Sequence, residues 1–259
     1  MSVPALKLAV RLRLLTTLLS ALGMALVILM VGALFPAVGD SIGKLDLPEG
    51  VTTLLGGADY GTITGWMRSE IGAVYGPLIV SFTGISVAAA LAGEEEAGVL
   101  ALALAYPLER SRLLLARAGA VLISVAMVAF GTFVGLVVGV AVGGGGIAVT
   151  NIAAVAVHLA FFGWAVGAVA LASAALTGRR ALATGAAAAF ALVGFLLNGL
   201  APLVDSIDWL KYLSLFYYYE GHDPIGNGVD GADLAVLGAA TLALTALAVV
   251  GFRQRDLRR

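Results

Sequence analysis

The chain has 259 residues, 61% of them apolar and only 12% charged, with a mean hydropathy of +1.03; a soluble domain carries roughly 25% charge, so a water-soluble globule is excluded. It contains no cysteine, which removes disulfide scaffolds, thiolate metal sites and cysteine nucleophiles together. The net charge of −1 decides little as a total, and no nucleic-acid partner is expected from it.

A bilayer core of about 30 Å needs about 20 apolar residues per helix. In chain order the sequence offers six runs of that kind: 14–38, 71–92, 118–142, 152–176, 181–204 and 233–252. The first follows Lys7, Arg11 and Arg13 as a signal peptide would, but it is too long for a signal core of 7–15 residues, so a retained span is expected. The prediction is an all-α membrane protein, a single transmembrane domain over 1–259 with six transmembrane helices and short outer interfacial helices.

Basic residues fix the expected orientation. Lys7, Arg11, Arg13, Arg110, Arg112, Arg117, Arg179, Arg180, Arg253, Arg255, Arg258 and Arg259, twelve of the fifteen, fall on one side of these spans, against Lys44, Arg68 and Lys211 on the other. Loops rich in Lys and Arg stay in the cytoplasm, which predicts a multi-pass plasma-membrane protein with both termini cytoplasmic. The opposite side is acidic.

No segment has the phosphate-cradling spacing of glycines followed by Lys and Ser or Thr: the run 143–146 of four glycines leads into Ile147, Ala148 and Val149. That run reads as an external turn, and this chain is expected neither to hydrolyse ATP nor to bind a cofactor or metal of its own.

The segment 93–117 is the most informative. Three acids, Glu94, Glu95 and Glu96, stand where the second span ends. Val99, Leu100, Leu102 and Leu104 follow in a stretch too short to cross a bilayer, then Pro107 and an alternation of charge and leucine. Composition alone leaves two readings open: a connector lying on the membrane surface, or a short helix offering charge to a partner. The pattern of Gly93, Glu94, Gly98, Leu100, Pro107, Arg110 and a terminal base at Arg117 resembles the cytoplasmic signature of type-2 ABC transporter permeases. Val99 stands where threonine is usual, and Arg117 where lysine is usual. Gly65-Trp66-Met67, Gly76-Pro77-Leu78 and the aromatic stretch 210–219 with Asp223-Pro224 are similar to further parts of that family, with Leu215 at a usual proline position.

The resemblance implies a homodimer or paired permease docked on a separate ABC ATPase subunit that binds ATP and Mg, with the segment 93–117 forming a cytoplasmic coupling helix. Partner binding would fall to Glu94, Glu95, Glu96, Gly98, Leu100, Pro107 and Arg110. The function implied is export of an apolar or amphiphilic substrate. The alternative is a non-transporting anchor that passes ATPase motion to an outer partner.

Inside the spans, His158 is expected as a neutral packing histidine and Asn198 as a bond to a neighbouring helix. Gly131, Gly135, Gly139 and Gly143, and Gly163 with Gly167, form small-residue stripes that permit close helix approach, either within one protomer or at a dimer seam. Ser81, Thr83 and Ser86 are the nearest thing to a polar lining. In the outer loops, an interfacial helix is expected around Trp66 and Met67, and short helices in the aromatic segment 205–232 serve either as interfacial anchors or as a lid over an exit path.

Overall fold

The computed structural model describes residues 3–42, 59–100 and 109–255. Six helices in it are long and apolar enough to cross a membrane. They are α1 (Val3–Ile42), α2 (Ile63–Glu96), α3 (Arg110–Val142), α4 (Val149–Thr177), α5 (Arg180–Leu200, extended by a 3-10 turn over Ala201–Leu203) and α8 (Gly231–Gln254). Between α5 and α8 lie a 3-10 turn, Asp208–Leu213, and two short helices, α6 (Leu215–Glu220) and α7 (Pro224–Asn227). No strand occurs among the described residues. The expected all-α membrane architecture is the one observed, and helices begin and end beyond the apolar runs. α1 starts at Val3 rather than Leu14, since Lys7, Arg11 and Arg13 are good helix formers that hydropathy reads as loop.

Small residues decide which spans meet. A Cβ built on Gly32 of α1 would stand 2.2 Å from the Gly139 carbonyl oxygen of α3, and one on Gly139 would stand 2.8 Å from that of Ile28. Gly131 and Gly135 likewise abut the Ala21 and Ala25 backbones. The glycine stripe of α3 is therefore the seat of α1 within one protomer. The same device joins α2 to α4, where a Cβ on Gly84 would lie 2.7 Å from the Gly163 oxygen. Backbones this close exchange dispersion contacts and polar backbone contacts that larger residues forbid. α4 is the most enclosed span, α2 the next, while α1, α5 and α8 leave most of their surface outward, toward lipid.

α2 departs from the expected layout. Gly65-Trp66-Met67 does not form a separate interfacial helix. It opens a helix of 34 residues that continues to Glu96, capped by the Thr62 hydroxyl, which accepts from the Gly65 N–H at 3.1 Å. Trp66 and Met67 are buried, and the Trp66 indole N–H donates to the Val31 carbonyl of α1 at 3.0 Å. Packing against α1 wins over interfacial placement because α1 runs far enough outward to receive the ring. Residues Arg68–Tyr75 of α2 are π-helical, closing with the Gly76 N–H on the Ile71 carbonyl. A Cβ at Gly76 would lie 2.5 Å from that oxygen, so the wide turn requires glycine there.

Candidate functional site

The described part of the 93–117 segment sits at the end of the bundle where α1 begins and α8 ends. α2 ends at Glu96, and Gly98 terminates it with φ +71 in the left-handed region, its N–H on the Glu95 carbonyl at 3.0 Å. Leu100 is buried in the apolar core while Val99 is exposed. Arg110 opens α3. Pro107, with Leu102 and Leu104, lies outside the described residues.

All three glutamates are engaged within the chain. Glu94 pairs with Arg117 of α3, and Glu95, buried, pairs with Arg255 at the end of α8. Glu96 accepts from the Arg180 backbone N–H at 3.0 Å, capping the start of α5, which has no side-chain cap of its own. Arg255 is the hub. Its Nε–H donates to the Ala175 carbonyl of α4 at 3.0 Å, and its own carbonyl accepts from Arg110 at 2.8 Å. Gly178, at φ +60, makes room for that guanidinium, since a Cβ there would stand 2.2 Å from it. The result is an ionic collar joining α2, α3, α4, α5 and α8. Arg255 and Arg180 were not singled out by sequence reasoning: Glu95 and Arg255 are 160 residues apart, and no local pattern marks the pair.

The opposite end carries a second polar cluster. Arg68 of α2 pairs with Asp223 at 3.0 Å, and the buried Tyr219 hydroxyl donates to the Gly72 carbonyl at 2.8 Å. Beside them Glu220 is buried, with one carboxyl oxygen and the Arg68 Nε lacking a partner among the described residues. Desolvation raises the Glu220 carboxyl to about 7; Arg68 pulls it down and Asp223 pushes it up. A cavity of about 20 Å³ adjoins these groups, enough for one water molecule.

Further out, His222 lies between two carboxylates, with Nδ1 2.8 Å from Asp233 and Nε2 3.6 Å from Asp230. The hydrogen bond that the His222 ring donates to the Asp233 carboxylate raises the His222 pKa, and the Asp233 and Ala232 N–H groups capped by Asp230 help lower that of Asp230. This is the grouping among the described residues in which three ligand-type side chains come close enough to share an ion, although both ring nitrogens already face carboxylates.

His158 is fully buried on α4, donating from Nδ1 to the Ala154 carbonyl at 2.9 Å, as a packing histidine does; its other nitrogen has no partner among the described residues. Asn198 differs from expectation. It makes no hydrogen bond to the described residues, because α5 is covered by its neighbours over only a minor part of its surface. The aromatic segment divides: Phe216 and Tyr219 are buried against Phe162 of α4, whereas Trp209 and Tyr212 stay exposed as interfacial rings do.

Between α2 and α5 an apolar groove of about 360 Å³ opens sideways, lined by residues including Pro77, Leu78, Phe82, Leu192, Phe195 and Phe216, with Ser81 as its hydroxyl. No curated protein matches the chain. The family described as multidrug efflux system permease Rv1217c, C-terminal domain, matches residues 4–253, nearly the whole of the six-helix bundle that the collar and the glycine contacts hold together. The chain belongs to this family of efflux permeases.

Proposed function

We propose that the chain is the membrane half of an ATP-driven ABC exporter. Two copies, or this chain and a paired permease, would work with a separate ATPase subunit that binds ATP and Mg, and move an apolar or amphiphilic substrate across the plasma membrane. The observation that carries this reading is the collar. A push delivered to the segment between α2 and α3 reaches five spans at once through Glu94, Glu95, Glu96, Arg110 and Arg255. With these glutamates committed inside the chain, the partner-facing contacts fall to what stands clear of the collar, such as the exposed Val99. The basic end would lie in the cytoplasm, where Lys- and Arg-rich ends remain.

The groove between α2 and α5 favours export over a non-transporting anchor, because an anchor has no need of an apolar recess open to the membrane. Having no phosphate-binding loop, the purified chain is expected to hydrolyse no ATP. The test is reconstitution in proteoliposomes with the ATPase subunit. ATP-dependent movement of an amphiphilic dye, lost without either subunit, is the expected result. Movement without the ATPase, or ATP hydrolysis by this chain alone, would overturn the proposal.

A further inference from the structure

At the basic end most arginines of the α2–α3 and α8 termini have a partner: Arg110, Arg112, Arg117 and Arg255 each hold a carbonyl or carboxylate. Arg13 of α1 does not, having no hydrogen bond or ion pair with any described residue. It stands at the mouth of a narrow cleft between α1 and α2, about 10 Å³ inside and so closed to anything larger than water, together with the hydroxyls of Thr16, Thr17, Ser20, Thr83 and Ser86. Thr83 spends its hydroxyl on the Ile79 carbonyl at 2.8 Å. The other four hydroxyls have no partner among the described residues.

The depth of this cleft gives it meaning. Ala21 faces Gly131, Ala25 faces Gly135 and Ile28 faces Gly139, so Arg13 stands level with about Ile123 of α3. That is six residues, roughly 9 Å, further into the bundle than Arg117 in the collar. α2 agrees: Ser86 is eight residues, about 12 Å, deeper than Glu94. An unpaired guanidinium below the collar is costly in a membrane unless an anion meets it. Among the described residues none is free to do so. The acids of the described basic end are Glu94, Glu95 and Glu96, all engaged, and Glu109, paired with Arg112. For the same reason a second copy of the chain cannot supply one from these positions.

What a bilayer can bring to that depth is the acidic headgroup of an amphiphile. A guanidinium fork with Ser and Thr hydroxyls around it suits a phosphate, whose oxygens accept from both. Phe82 lines this cleft and also the apolar groove toward α5, so a headgroup at Arg13 has an apolar recess beside it for its chain. We propose that the mouth of this cleft is a headgroup site for an anionic phospholipid of the leaflet at the basic end, with Arg13 holding the phosphate outside the narrow part and an acyl chain laid over Phe82. The proposal stands apart from the export reading, since a resident lipid binds whether or not the chain transports.

The test is lipid titration of the delipidated, detergent-purified full chain, followed by native mass spectrometry. The expected result is that phosphatidylglycerol binds at least about 10-fold more tightly than phosphatidylcholine, a difference of about 1.4 kcal/mol. Arg13→Gln should abolish that preference, Arg13→Lys should keep part of it, and Arg253→Gln, outside the cleft, should leave it intact. Should Arg13→Gln fold poorly, Ser20→Ala with Ser86→Ala gives a second reading, lowering the preference several-fold at unchanged melting temperature. A wild-type preference in Arg13→Gln overturns the site, as does an equal loss in Arg253→Gln. Dodecyl phosphate tests the other source of the same chemistry: if this single-chain amphiphile binds 10-fold more tightly than phosphatidylglycerol and displaces it, the cleft is a cargo site and the resident-lipid assignment falls.

Discussion

The two ends of the bundle solve the same problem in opposite ways. At the basic end Glu94, Glu95 and Glu96 each have a partner on another helix, and the five spans that meet there are tied by Arg255 and its neighbours. At the other end Arg68, Asp223 and Glu220 share a buried site in which two polar atoms remain unpaired, one of them on a carboxyl that titrates near neutrality. A network whose carboxylates are all held resists change and specifies one arrangement, even with the Arg117 Nε left without a partner among the described residues, whereas one with an unpaired buried carboxyl oxygen is sensitive to protons and water. The difference teaches that rigidity in this protein is placed where the chain would be driven, and responsiveness on the opposite side.

The comparison breaks most sharply at Glu95. Glu95→Lys puts a second cation against Arg255 in a buried position, and removing one partner of such a pair typically costs about 3–5 kcal/mol. A large fall in melting temperature in detergent is expected, with Glu94→Lys falling less because Glu94 is more exposed. Equal and negligible shifts in both variants would show that the collar clasps nothing.

Glu220 sharpens the other half. Its folded pKa of about 7 lies above the ordinary carboxyl value of 4.5, so between these values the folded chain holds a proton that the unfolded chain has released. Stability from this group must therefore fall as pH rises from about 5 to 8, by on the order of 2 kcal/mol. Glu220→Gln should flatten that part of the profile. A slope unchanged by the substitution would mean that the carboxyl ionises freely and that the unpaired site is not sensitive.

His222 gives the smallest effect. Its raised pKa stabilises the fold at pH values below the ordinary 6.5, and that stabilisation is lost as pH climbs through the folded value. His222→Ala should lower the melting temperature slightly in acid and not at all in alkali. A loss that persists at high pH would point to packing rather than to charge.

The spans were legible because hydrocarbon imposes a length and an apolar composition that few other structures need. The α1–α3 contact was half legible: four glycines at spacing four announced a close approach, but only the structure says that α1 of the same chain fills it. The collar could not be read. Glu94, Glu95 and Glu96 look in sequence like an exposed acidic cluster, and the groups that consume them come from 23, 160 and 84 residues away. The outer cluster was hidden for a related reason, since Arg68 and Glu220 meet only when the aromatic segment folds back over α2. Trp66 shows the opposite error, where a residue type common at interfaces was claimed by a helix longer than its apolar run.

The wide turn in α2 is a surplus residue kept inside a continuous helix. Removing any one residue from 68–75 would let the ladder close with ordinary spacing and swing everything outward of it by about 100°. Trp66 would then leave Val31 and Arg68 would leave Asp223, while Glu94 to Glu96 would stay where they are. A single codon lost from that stretch would thus act like a twisted key shaft, leaving the handle in place and turning the teeth.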